Sequence, residues 1–241
     1  MGRHGTIAGR KAAQDSKRAA MFTKYARAIT VAAKGGGDPD YNPALRVAID
    51  KAKGISMPND NITRAIKKGT GELGGEIYEE LQFEGYGIGG IAVICECLTD
   101  NRNRTTSSVR STFDKYGGNL GTTGCVSYMF SRKGVIIIDS EDLDEEEVMM
   151  TALDAGAEDM SVEEDSFEVY TDPSAYHDVH QALTEAGYPI ISSEVEQVPS
   201  MESTPKEEDI KKLKKMIDLL EENDDVQNVY TNCAIDLEDY E

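Results

Sequence analysis

The chain has 241 residues, 39% of them hydrophobic and 29% charged, with a formal net charge of -20; this length predicts two or three compact units. No apolar run approaches the ~20 residues of a membrane helix, and MGRHGTIAGRK has no signal-peptide core behind it, so a soluble cytoplasmic protein is expected. Cys95, Cys97, Cys125 and Cys233 include no pair with zinc-ligand spacing; Cys95 and Cys97, two apart in IAVICECL, fall on one sheet face as packing residues.

Charge is divided unevenly along the chain. Residues 1–72 carry 14 Lys and Arg against 6 Asp and Glu, whereas the remainder carries 11 against 39. Such polarity predicts an N-terminal part that meets a polyanion and a remainder that repels it. The stretch GRKAAQDSKRAAMFTKYARAITVAAKGGG, residues 9–37, contains one acid, Asp15. On a helical wheel Phe22, Ala26, Ile29 and Ala33 share a core-facing side with Tyr25 at its edge, while Lys17, Lys24, Arg27 and Lys34 fall opposite. A solvated helix face usually mixes signs, so this one reads as a phosphate-contacting surface. Arg3, Arg10, Lys11 and Arg18 join it as candidates.

Two further helices complete a small helical domain. YNPALRVAIDKAKG has Asn42 as N-cap, Pro43 in the first turn and Gly54 as a stop; in SMPNDNITRAIKKGTG, Pro58 opens a helix that Lys67, Lys68 and Gly69 close, the cations complementing its dipole. YEELQFEGYG and IAVICECLTD read as a hairpin, RTTSSVRSTFDKYGG as a helix, and CVSYMFSRKG as a strand. Residues 134–198 spell βαββαβ, the ferredoxin-like order: GVIIID, DEEEVMMTALDAG, MSVEE, SFEVYT, SAYHDVHQALTEAG and IISSEVEQV. After a linker, IKKLKKMIDLLEEN and VQNVYTNCAI give a helix and a strand too small to stand alone, expected to complete the sheet begun by residues 76–133. The expected fold is α+β multidomain: a three-helix domain (1–74) and two ferredoxin-like sandwiches, one (134–198) inserted in the other (75–133 with 205–241), with 199–204 as linker.

Candidate chemistry is sparse. GTGELG and GYGIGG satisfy G-x-G-x-x-G, but neither lies between a strand and a helix as a dinucleotide loop requires. His4, His177 and His180 have no third ligand nearby, and SEDLDEEE lacks the alternating ligands and central glycine of a calcium loop. No enzyme, cofactor, metal or small-molecule substrate is expected. In LTDNRNRTTSSVR, Arg102 and Arg104 stand where a strand gives way to a helix N-terminus, a position that favours an anion. The alternative is that Asp100 or Asn103 caps the helix and the arginines pair with acids such as Glu96. No segment reads as a helix-turn-helix with a polar, base-reading second helix.

RKAAQDSKR, TVAAKGGGDPDYNPALRVAIDKAK, MPNDNITRAIKKGTGE, YEELQFEGYG, ECLTDNRNRT and GGNLGTTGCVSYMF resemble the signature segments of the YebC/PmpR family, over about residues 9–134. The resemblance, which extends to the mitochondrial translational activator of cytochrome c oxidase, implies a helical domain followed by two mixed α/β domains. It further implies a DNA-binding transcriptional regulator or, alternatively, a ribosome-associated factor that helps translation through difficult nascent sequences. The expected partner is therefore duplex DNA or ribosomal RNA in the ribosome, with no membrane. The chain departs from the family's usual Gly-His-Ser-Lys-Trp opening with GRHGTIAGRK and contains no tryptophan.

Overall fold

A computed structural model of the protein describes residues 18–74, 77–237 and 240, with side chains from residue 21 onward. Helix α1 (Arg18–Ala32) runs without Gly or Pro and ends in a single 3-10 turn, Ala33–Gly35. Helix α2 (Pro43–Gly54) starts at the expected cap: the Asn42 Oδ1 accepts the Leu45 N–H at 3.1 Å, and its Nδ2 donates to the Ala32 and Gly36 carbonyls at 2.8 Å each. One side chain thus caps α2 and satisfies the open end of α1.

Helix α3 (Asn59–Gly69) packs beside α2 on α1, burying Ile62 and Ala65 against Ile29, Leu45 and Ala52. The buried Thr30 hydroxyl links α1 to α3 by donating to the Ala26 and Ala65 carbonyls at 2.8 and 3.2 Å. At Gly69 the two helices cross so closely that a Cβ would stand 2.6 Å from that of Ala33 and collide with the Thr30 carbonyl.

Strands β1 (Glu79–Tyr86) and β2 (Ala92–Thr99) form the expected antiparallel hairpin. Its connection passes through Gly89 and Gly90 at φ 75° and 76°, so the second G-x-G-x-x-G segment is a turn chosen for left-handed backbone. Helix α4 (Arg102–Lys115) and β3 (Asn119–Leu120) follow, and far along the chain helix α7 (Glu207–Glu221) and β8 (Val226–Thr231) return to give the sheet order β3-β1-β2-β8. Both helices cover one face, where Val93, Cys95 and Cys97 meet Val109, Phe113, Leu213, Met216 and Leu220. The opposite face packs Ala92 and Ile94 on Val126, Met129, Phe130 and Tyr230. Burial on both faces explains why β2 is apolar at nearly every position rather than alternating.

Strand β4 (Phe130–Asp139), helix α5 (Glu145–Asp154), β5 (Asp159–Val162), β6 (Ser166–Thr171), helix α6 (Tyr176–Glu185) and β7 (Ile190–Pro199) form the second sandwich. Its antiparallel order β5-β6-β4-β7 is the ferredoxin-like one, with Ile136, Ile138, Phe167 and Val169 packed under Val148, Ala152, Val179 and Leu183. The fold is therefore α+β, with N-terminal helices and two four-stranded antiparallel sheets.

The strand expected over CVSYMFSRKG is not separate. β4 is one continuous strand from Phe130, and residues 125–129 form a turn and a 3-10 turn. The cause is the buried Glu84 carboxylate, which accepts the backbone N–H groups of Gly124, Val126 and Ser127 at 2.9 to 3.1 Å and so removes them from any ladder. Burial raises the Glu84 carboxyl pKa, but these three bonds and one from Gln82 outweigh it and hold it below the usual range. The stretch 199–204 is also more than a tether: Ser203 bridges to Cys233, and the Asn232 side chain bonds to the Met201 carbonyl and the Ser203 hydroxyl.

Candidate nucleic-acid interface

Of the cations expected on the outer face of α1, Lys24, Arg27 and Lys34 lie against the first sandwich. Arg27 Nη1 reaches Asp225 Oδ1 at 2.5 Å, the Asp224 carbonyl at 2.6 Å and the Leu98 carbonyl at 3.2 Å, with its guanidinium 5.5 Å from the centre of the Tyr78 ring. The Lys34 Nζ donates to the Tyr78 carbonyl at 3.0 Å, and half-buried Lys24 lies close enough to Cys97 to act on it electrostatically. The apolar stripe packs as expected on α2 and α3, but the opposite side of α1 is in part an internal surface. Arg27, expected to face phosphate, is here 15% exposed and held by the Asp225 carboxylate and by the Asp224 and Leu98 carbonyls.

Asp225 is the centre of this arrangement. Its side chain is only 5% exposed and receives Arg27 from the helical unit, both Arg104 Nε and Nη2 from the start of α4, and the Thr105 hydroxyl at 2.7 Å. Burial pushes its carboxyl pKa up, yet the bonds from Thr105, Arg104 and Arg27 prevail and hold it below the usual Asp range. Arg27, Tyr78, Asp100, Arg104, Asn223, Asp224 and Asp225 line a cleft of about 380 Å³. Its lining is charged or polar throughout, unlike the mostly apolar walls of small-molecule sites.

At the α4 N-terminus Asn101, rather than Asp100 or Asn103, is the cap, its Oδ1 accepting the Arg104 N–H at 3.1 Å. Arg102 pairs with Glu79 at 3.0 Å and Arg104 with Asp100 at 2.6 Å as well as with Asp225, so the acids that engage them are these and not Glu96. Both guanidiniums stay at least half exposed. Arg3, Arg10, Lys11 and Lys17 lie outside the described residues, as does the side chain of Arg18. The departure from the family's usual opening segment falls there too.

Two features escaped the sequence reading. Asp225 sits in NDDV among 45 acids, and only the chain's return to the sheet makes it special. Lys67 and Lys68 read in the sequence only as helix-closing cations, and Arg64 carries no reading there; the structure leaves all three exposed on one side of α3, and their spacing without an intervening acid is the available signal. Among the described residues no group of three His, Cys, Asp or Glu side chains could hold a metal, and no helix is long and apolar enough to cross a membrane.

Comparison with known proteins adds the following. Residues 3–72 match the model of the TACO1/YebC protein N-terminal domain, and residues 78–233 match that of the TACO1/YebC second and third domain. A probable transcriptional regulatory protein of Geobacter sulfurreducens is 54% identical over 237 residues, covering 98% of this chain and 96% of the relative. Another of that description, from Clostridioides difficile, is 54% identical over 239 residues, covering 98% and 100%. The crystal structure of a conserved hypothetical protein from Aquifex aeolicus superposes with a TM-score of 0.83 at 46% identity over 93% of each chain.

Proposed function

The chain belongs to the TACO1/YebC family, and from that premise we propose that it is a non-enzymatic regulator of gene expression that binds nucleic acid, specifically a DNA-binding transcriptional regulator. The observation that carries the reading is the division of charge between units: 14 cations against 6 acids in residues 1–72, and 11 against 39 in the rest. A phosphate backbone is drawn to the helical unit and repelled by the acidic body, which fixes orientation before any close contact forms. The names of the relatives, probable transcriptional regulatory proteins, support the same reading.

Arg3, Arg10, Lys11, Lys17, Arg18 and Lys24 belong to the proposed phosphate contacts. Arg102 and Arg104 join them through their exposed faces, while Arg27 and Lys34 contribute mainly by holding the helical unit on the body. The buried carboxylates of Glu84 and Asp225 are structural, engaged by backbone N–H groups, hydroxyls and guanidiniums.

The test is a competition at roughly physiological salt, where screening over about 8 Å suppresses weak surface attraction. Labelled full-length protein is offered mixed-sequence duplex DNA and ribosomes at matched phosphate concentration. Duplex binding that weakens as salt rises is the expected result. Preference for ribosomes would move the protein to translation, and binding to neither would refute the nucleic-acid reading altogether.

A further inference from the structure

The helical unit faces the body with α1 and α2 and faces away from it with α3. Arg27 and Lys34 of the α1 segment bond to Asp225 and Tyr78, and Lys51 of α2 pairs with Glu194 of β7 at 3.3 Å. Helix α3 buries Ile62, Ala65 and Ile66 against α1 and exposes Asn59, Asn61, Thr63, Arg64, Lys67 and Lys68. Arg64, Lys67 and Lys68 stand at i, i+3 and i+4, side by side on one face. Among the described residues none of the three has an acid within ion-pair distance; Asp60, one turn before Arg64, is also exposed and does not pair with it.

Helix stability alone does not account for this pattern. Lys67 and Lys68 complement the dipole at the α3 C-terminus, but Arg64 is mid-helix, and a like charge four residues on weakens a helix. A face kept at the expense of its own helix fits an external anion. Its position is fixed as well. Thr30 bonds to the Ala65 carbonyl, Gly69 lets α3 press onto α1, and the four residues 55–58 join it tightly to α2, with Ser56 in the left-handed region at φ 62°.

We propose that the outer face of α3, formed by Asn61, Arg64, Lys67 and Lys68, is the surface on which the phosphates of duplex DNA dock. The argument for this occupant is charge complementarity with a dense, regular polyanion, joined to shape: an α-helix about 10–12 Å across matches a major groove about 12 Å wide. Arg64, Lys67 and Lys68 meet the phosphate backbone, and the exposed Asn61 beside them supplies a further hydrogen-bond donor. The inference rests on the nucleic-acid reading above.

The experiment titrates full-length protein with a mixed-sequence duplex and, in a separate arm, with ribosomal RNA, followed by fluorescence anisotropy, across a salt series. The α3 variant R64Q/K67Q/K68Q is compared with wild type and with K211Q/K212Q/K215Q, which removes as many exposed cations from α7. The expected result is an affinity at least about tenfold weaker for the α3 variant, with the slope of log affinity on log salt flattened by about 3, one per contact. The α7 variant should keep its slope. K68Q alone, expected to lower the slope by about 1, replaces the triple variant if circular dichroism shows that it misfolds. An unchanged slope in the α3 variant, or equal losses in both variants, would overturn the assignment to α3. Wild-type binding to ribosomal RNA but not duplex would overturn the duplex, and wild-type binding to neither would instead defeat the underlying functional reading.

Discussion

Removal of the Asp225 carboxylate should loosen the helical unit from the body by a calculable amount. Arg27 and Asp225 are 15% and 5% exposed, so their bond is a charge-assisted one between largely desolvated groups, worth about 1.5–3 kcal/mol. Arg104 is half exposed and adds about 0–1 kcal/mol. Asp225→Ala should therefore destabilise the protein by about 1.5–4 kcal/mol, below the ceiling of about 5 kcal/mol for breaking a fully buried pair. The assay is a double-mutant cycle with Arg27→Ala, Asp225→Ala and the double variant, read by urea denaturation monitored by circular dichroism. A coupling energy of about 1.5–3 kcal/mol is expected for directly bonded neighbours. Additivity within about 0.5 kcal/mol would refute the pairing and return Arg27 to the set of cations free to meet phosphate.

Acid should act on the same contacts. The Asp225 and Glu84 pKa values are lowered on folding, so their stabilisation is present above the unfolded values of about 3.9 and 4.3 and is lost as pH falls through the folded values; a pH titration of urea midpoints should decline below about pH 4. Glu84→Gln should cost about 1–3 kcal/mol and speed hydrogen exchange at Gly124, Val126 and Ser127, since an amide cannot accept all three N–H groups with both of its ends. Gly69→Ala should destabilise by about 1–3 kcal/mol in thermal melts, because the clash with Thr30 and Ala33 outweighs the gain in helix propensity. Ellman's reagent should label half-exposed Cys125 first: Cys95, Cys97 and Cys233 are buried, and burial pushes the Cys97 thiol up to about 12.

Local signals carried much of the fold. Asn42 and Pro43 mark α2, short apolar runs bounded by turn residues mark the strands, and the βαββαβ order of residues 134–198 marks the second sandwich. Misread elements were those decided by distant partners. Glu84 and the loop it holds are some 40 residues apart, and only their meeting ends the reading of residues 125–129 as strand. Likewise a helical wheel could separate the two sides of α1 but could not say that Asp225, 198 residues from Arg27, would occupy the charged one. Asn101 prevailed over Asp100 and Asn103 as cap because a cap is chosen by backbone position, which shifts by one residue more easily than a sequence pattern reveals.

The most direct test of the docking account is lysine footprinting of the full-length protein with and without duplex DNA, using brief acetylation and mass spectrometry. Protection confined to the helical unit, strongest at Lys67 and Lys68 and absent at Lys211, Lys212 and Lys215 of α7, is the predicted result. Protection of the α7 lysines with Lys67 and Lys68 still reactive would contradict it, and would place the polyanion on the acidic body that the division of charge says it avoids.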